Sequence, residues 1–127
     1  METSKRRAKP ELRGYLDLIE LTDEQRAEVE GIRRRFLPKV GILRARLRQL
    51  RAELADRLFA TPLDRRKAKA TVVKISRLQL ELELEVMEHI LQERQLLTGS
   101  QRKRFRQIIA EQFSDGGLGI HDVRSGT

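Results

Sequence analysis

From Leu21 to Phe113 hydrophobic residues recur every three or four positions, the spacing that places them on one face of a helix. The best run is Val29, Ile32, Phe36, Val40, Leu43, Leu47, Leu50, Leu54 and Leu58, and it predicts a long, nearly straight helix. Pro38 lies inside the run. It has no amide to bond the Arg34 carbonyl and it crowds that turn, so a kink or a short break is expected near Leu37, with Gly31 and Gly41 loosening the same region. The run stops at Ala60-Thr61-Pro62-Leu63-Asp64, which reads as a tight reversal and a new helix start. Thr61 is the expected N-cap, Pro62 the first helical residue and Asp64 a first-turn acid.

The next helix therefore runs back antiparallel. A turn near residue 61 sets Phe36 opposite Val86, Val40 opposite Leu82, Leu47 opposite Ile75, Leu50 opposite Val72 and Leu54 opposite Ala68. Leu78 to Val86 alternates apolar and polar residues like a strand, but the helical pattern continues on both sides and no second strand signal exists for it to pair with. On a helical wheel Ile75, Leu78, Leu82, Val86 and His89 share one face, while Val73, Leu80, Leu84, Met87 and Leu91 share nearly the opposite one. One hairpin partner covers one face only. Each Leu left open forfeits about 1.5–3 kcal/mol of burial, and a terminal helix over Gly99 to Phe113 reaches only one end, so a homodimer is expected. The expected fold is all-α: a long antiparallel helical hairpin with short flanking helices. Residues 1–20 form a basic N-terminal arm that docks at its end, 21–113 the hairpin domain, and 114–127 a flexible tail that begins at Ser114-Asp115-Gly116-Gly117.

At 127 residues the chain is one domain. Charged residues make up 36% and aromatics 4%, which suits helices rather than a β-sandwich. The net charge of +8 favours acidic partners. The lack of cysteine excludes disulfides, thiolate metal sites and cysteine nucleophiles, and leaves the compartment open. Met1 to Glu20 is basic at Lys5, Arg6, Arg7 and Lys9 and holds no apolar stretch of the length a signal peptide or anchor requires.

Two helix starts repeat one motif, Leu21-Thr22-Asp23-Glu24-Gln25 and Leu97-Thr98-Gly99-Ser100-Gln101. Each reads as a capping box, the threonine hydroxyl accepting from the glutamine amide while the glutamine side chain reaches back to the threonine amide. With the basic hairpin between them, the stretch from Glu88 to Thr98 and Arg102-Lys103-Arg104-Phe105 after the second box, Leu21 to Phe113 resembles the Spy/CpxP superfamily, which includes ZraP and CnrX-like periplasmic heavy-metal sensors. The resemblance implies a cradle-shaped dimer in the bacterial envelope that acts as an ATP-independent chaperone, a stress-signalling regulator or a metal sensor. Against a periplasmic location stands the missing export signal: either an anchor has been trimmed from this chain or the compartment differs.

Catalysis finds no support, since there is no phosphate-binding Gly-Lys loop and the five serines have only two histidines as bases. No cofactor is expected except a possible divalent transition metal. For that, His89 and Glu93 lie four residues apart on one helix face, with Glu28 within reach on the facing helix. The set is short of ligands: the nickel- and cobalt-sensing relatives use several histidines and a methionine, and the ordinary alternative is a seam histidine paired with a carboxylate. His121 with Asp122 in the tail is weaker. Arginine and lysine are the richer material. Part of the charge from Arg33 to Arg44 is expected to be neutralised by Glu81, Glu83, Glu85 and Glu88 across the hairpin or the dimer seam, leaving a surplus at the hairpin tip and arms. We assign Arg48, Arg51, Arg57, Phe59, Arg65, Arg66 and Lys69 to a client surface, where charge steers an acidic or unfolded segment and neighbouring Leu58 and Leu63 add apolar contact. A membrane-bound signalling partner fits the same surface. Nucleic acid fits poorly, because aromatic residues for base stacking and any reading motif are missing.

Overall fold

The computed structural model describes residues 14–114. A short 3-10 turn, Tyr15–Leu18, precedes three helices: α1 (Asp23–Leu58), α2 (Arg65–Arg94) and α3 (Gly99–Ser114). No strand occurs among the described residues, and α1 and α2 form a helical hairpin. The expectations for residues 1–13 and for the tail from Asp115 onward lie outside the described residues.

Both capping boxes start their helices at the predicted residues. Thr22 Oγ1 accepts from the Gln25 amide at 3.1 Å and Gln25 Oε1 from the Thr22 amide at 3.0 Å. At α3 the matching distances are 3.4 Å and 2.9 Å. The start of α2 corrects the sequence reading. Asp64, not Thr61, caps this helix, its Oδ1 accepting from the Lys67 amide at 3.2 Å. Thr61 and Pro62, joined by a cis peptide bond, belong to the connection. At Pro38 a break is excluded, since α1 continues through the proline; the helix gives up one backbone bond there and is held by packing on either side.

Contacts divide the chain into two compact units, one over Pro38–Glu85 and one formed by residues up to Leu37 together with those from Val86. Inside the first, Val40, Leu43 and Leu47 of α1 and Ala68, Thr71 and Leu82 of α2 are buried. The later start of α2 shifts the register. Val72, expected against Leu50, is 47% exposed, and Thr71 is buried in the seam instead. Its hydroxyl donates to the Lys67 carbonyl at 3.1 Å and lies 3.4 Å from the Glu53 carboxylate. The expected cross-hairpin pairing of charge appears here as Lys39 with Glu85 at 4.0 Å.

In the second unit Val29, Ile32 and Phe36 of α1, Val86 of α2, Leu97, and Phe105 and Ile108 of α3 form the core with Tyr15 and Leu16 of the 3-10 turn. The expected docking of the arm's end is this turn. The two boxes also clasp each other. Gln25 Nε2 donates to the Leu96 carbonyl at 2.9 Å and to Gln101 Oε1 at 2.8 Å. Gln101 Nε2 donates to the Glu20 carbonyl at 2.9 Å and to Gln25 Oε1 at 3.0 Å. Each glutamine thus ties its own helix start to the residue two places before the other threonine, an arrangement that reads the same in both directions.

Candidate functional site

Three features bear on function: a buried charged cluster, the hairpin tip and the outer face of α2. The cluster lies in the unit that contains the clasp. His89 and Glu93 are one turn apart on α2, and both face α1 and are buried. His89 Nε2 stands 2.7 Å from Glu93 Oε2. The Phe36 ring packs edge-on to the imidazole with centroids 4.0 Å apart. Arg33, one turn before Phe36's neighbour Leu37 on α1, places Nε 3.8 Å from Glu93 Oε2 and donates from Nη1 to Asp17 Oδ1 at 3.1 Å. Asp17 is itself held by the 3-10 turn, its Oδ2 accepting from the Gly14 amide at 2.8 Å. The guanidinium therefore links α1, α2 and the arm.

Burial governs the protonation of this cluster. Desolvation, helped by the Arg33 charge, lowers the His89 pKa from 6.5 to about 4. Desolvation raises that of Glu93 from 4.5 to about 8, with Arg33 opposing the shift and Asp17 adding to it. At neutral pH the imidazole is uncharged and the Glu93 carboxyl retains its proton, while Arg33 makes its ion pair with Asp17. Apart from their 2.7 Å contact with each other, the side-chain nitrogens of His89 and the Glu93 oxygens have no hydrogen-bond partner.

Of the expected metal ligands, the structure brings His89 and Glu93 together and leaves Glu28 apart, exposed on α1. Among the described residues no group of three or more His, Asp or Glu side chains is placed to hold a metal ion. The Arg33 cation beside Asp17 and Glu93 opposes a dication, so the residues as they stand do not fit a metal. The sequence reading missed Arg33 and Asp17. Arg33 carried a signal, since the facing rule sets His89 and Glu93 against Val29 to Arg33; for Asp17 no periodicity tells where the arm returns.

At the tip the expected client residues stand at the surface. Arg48, Arg51, Arg65, Arg66 and Lys69 are exposed, and Arg57 is half-buried, its Nη2 donating to Glu53 at 3.2 Å. Arg51 donates to Gln79 Oε1 at 3.1 Å. Phe59 is 87% exposed, with Leu58 and Leu63 also open. From Pro38 to Leu80 the chain carries twelve Lys and Arg against three Asp and Glu. A groove of about 410 Å³ between the helices of this unit is lined by Arg46, Leu50, Glu53, Lys74, Arg77 and Leu78 among others. Along α2, the predicted second stripe is open: Val73, Leu80, Leu84, Met87 and Leu91 are each between 43% and 57% exposed. No helix among the described residues is long and apolar enough to cross a membrane.

The structure defines an all-helical hairpin protein whose first and third helices begin in the repeated capping motif. The chain is a member of the heavy-metal resistance family, whose model matches residues 5–104. No curated protein and no solved structure matches it.

Proposed function

We propose that this heavy-metal resistance family member works as an ATP-independent chaperone or stress regulator of the bacterial envelope, which holds unfolded or acidic protein segments, or a membrane-bound signalling partner, at its tip. The observation that carries this reading is Phe59, 87% exposed between Leu58 and Leu63 and flanked by Arg57, Arg65, Arg66 and Lys69. A solvent-exposed phenylalanine gains by covering its ring, and arginine stems extend the apolar surface while their charged ends stay hydrated. Such a surface attracts acidic chains from a distance and holds them without demanding one shape. The groove beside Arg46, Lys74 and Arg77 continues the same chemistry. We further propose that the α2 stripe is covered by a second copy of the chain, since five open apolar side chains at helical spacing form a seam that a like helix can fill. The alternative, a sensor with its metal at His89, is disfavoured by the Arg33 guanidinium beside Glu93.

The test is suppression of light scattering by an aggregating reduced protein, without nucleotide and with a chelator present. The wild-type chain is expected to suppress it, and Phe59→Ser combined with Arg65→Glu and Arg66→Glu to lose most of the effect with helicity intact. Equal suppression by both would refute the assignment to the tip.

A further inference from the structure

We propose that the groove between α1 and α2 in the unit Pro38–Glu85 binds a single-chain anionic lipid, an alkyl or acyl chain with a phosphate or carboxylate head. The inference does not rest on the client reading. It gives the groove a ligand of its own, apart from Phe59 and the tip.

The walls of the groove follow from helical spacing. Arg46, Gln49, Leu50 and Glu53 recur every three or four residues along α1, and Lys74, Arg77 and Leu78 do the same along α2. From Arg46 to Glu53 the wall is about 10 Å long, and the volume of about 410 Å³ falls in the range that small ligands occupy. Leu50 and Leu78 are half-buried and give it an apolar strip. Arg46, Lys74 and Arg77 are exposed and make no ion pair or side-chain hydrogen bond among the described residues. Glu53 does not answer them, because its carboxylate accepts from Arg57 Nη2 at 3.2 Å and has the Thr71 hydroxyl 3.4 Å away. Three cations therefore line the groove with their charge unmatched.

The lining is rich in donors and poor in acceptors. Arginine and lysine side chains only donate, and the acceptors are the Gln49 amide oxygen and the Glu53 carboxylate, which is already engaged. A peptide laid along the two leucines brings backbone amides that must find acceptors once they leave water. An alkyl chain brings none, and its head only accepts: a phosphate or carboxylate takes paired hydrogen bonds from a guanidinium. The cations hold the head and the leucines hold the chain, so neither a bare anion nor a neutral chain satisfies the groove.

The experiment titrates dodecyl phosphate, below the concentration at which it forms micelles, into the full chain and reads the heat by calorimetry. One equivalent is expected to bind, about tenfold or more tighter than inorganic phosphate or dodecyl maltoside, and to weaken as added salt screens the head. Arg46→Gln combined with Arg77→Gln, both at exposed positions, is expected to lose about tenfold in affinity with helicity intact, and Phe59→Ser to lose nothing. A fluorophore on Gln49→Cys, the sole thiol in a chain without cysteine, must respond over the same range, which locates the ligand even if the arginine variant unfolds. Equal affinity for inorganic phosphate or the maltoside, uptake of several equivalents, or a double variant that binds undiminished overturns the proposal. So does an acidic unfolded peptide that takes the Gln49 site in preference to dodecyl phosphate. Suppression of aggregation without uptake of dodecyl phosphate overturns the lipid groove and leaves the client tip standing, while uptake by a protein whose suppression ignores Phe59→Ser does the reverse.

Discussion

Glu93 has a side chain with no exposed surface and sits between an imidazole and a guanidinium, and its titration links the cluster to stability. With the unfolded values of 4.5 for Glu93 and 6.5 for His89, the unfolded chain holds two protons on these groups below pH 4.5, one between 4.5 and 6.5, and none above. The folded chain holds one from about 4 to about 8. Where the two states hold equal numbers of protons, stability does not change with pH. Below 4.5 the unfolded state holds more, so stability falls as pH drops. Above 6.5 the folded state holds more, so stability falls as pH rises from 6.5 through 8, by about 2 kcal/mol. Denaturant melts at pH 6.5 and 8.5 check this. Glu93→Gln keeps the shape and removes the titration, so its melt should change little over the same interval. The pair itself was legible in the sequence, because four-residue spacing on the inner face of α2 fixes it. The surroundings were not: Asp17 arrives from a segment without helical periodicity, and a register three residues off sets Val86 rather than His89 against Phe36.

The helices owe their limits to short-range chemistry, and most of those limits could be read from the chain. Thr22 and Thr98 start α1 and α3 where the motif predicts, because a capping box is satisfied within four residues. The second start was misread because Thr61-Pro62 and Asp64 both carry cap signals, and the choice fell to Asp64, whose carboxylate reaches the Lys67 amide. The clasp joining Gln25 to Gln101 could not be read from either motif alone, since it depends on how the hairpin brings residues 76 positions apart together. Gln25→Ala is expected to cost about 1–2 kcal/mol, since it removes the capping bond to the exposed Thr22 amide and leaves the half-buried Leu96 carbonyl without its donor. Adding Gln101→Ala should cost less than it does alone, and a double-mutant cycle from urea melts measures that coupling. Gly41 offers a change of opposite sign. A Cβ there meets nothing within 4 Å, so Gly41→Ala should stabilise α1 by about 0.5–1 kcal/mol, read as a higher thermal midpoint.

For the whole molecule, the heavy-metal resistance family and the all-helical hairpin agree with the pattern of apolar positions, which carries most of the fold. Two surfaces remain open, and each makes a separate prediction. The stripe on α2 calls for a second copy. Leu84→Glu places a charge at the middle of that seam and is expected to shift sedimentation from dimer to monomer at micromolar concentration without loss of helix, whereas a wild type that sediments as a monomer contradicts the seam. The tip calls for a client, and the account as a whole stands on where that client sits. Photo-crosslinking with a light-activated amino acid in place of Phe59, and separately in place of Ala110 on α3, measures this directly in the presence of an unfolded acidic protein and a chelator. The expected result is strong crosslinking from position 59 and little from position 110; equal crosslinking from both, or crosslinking that requires added metal, would contradict a metal-independent tip that holds its clients.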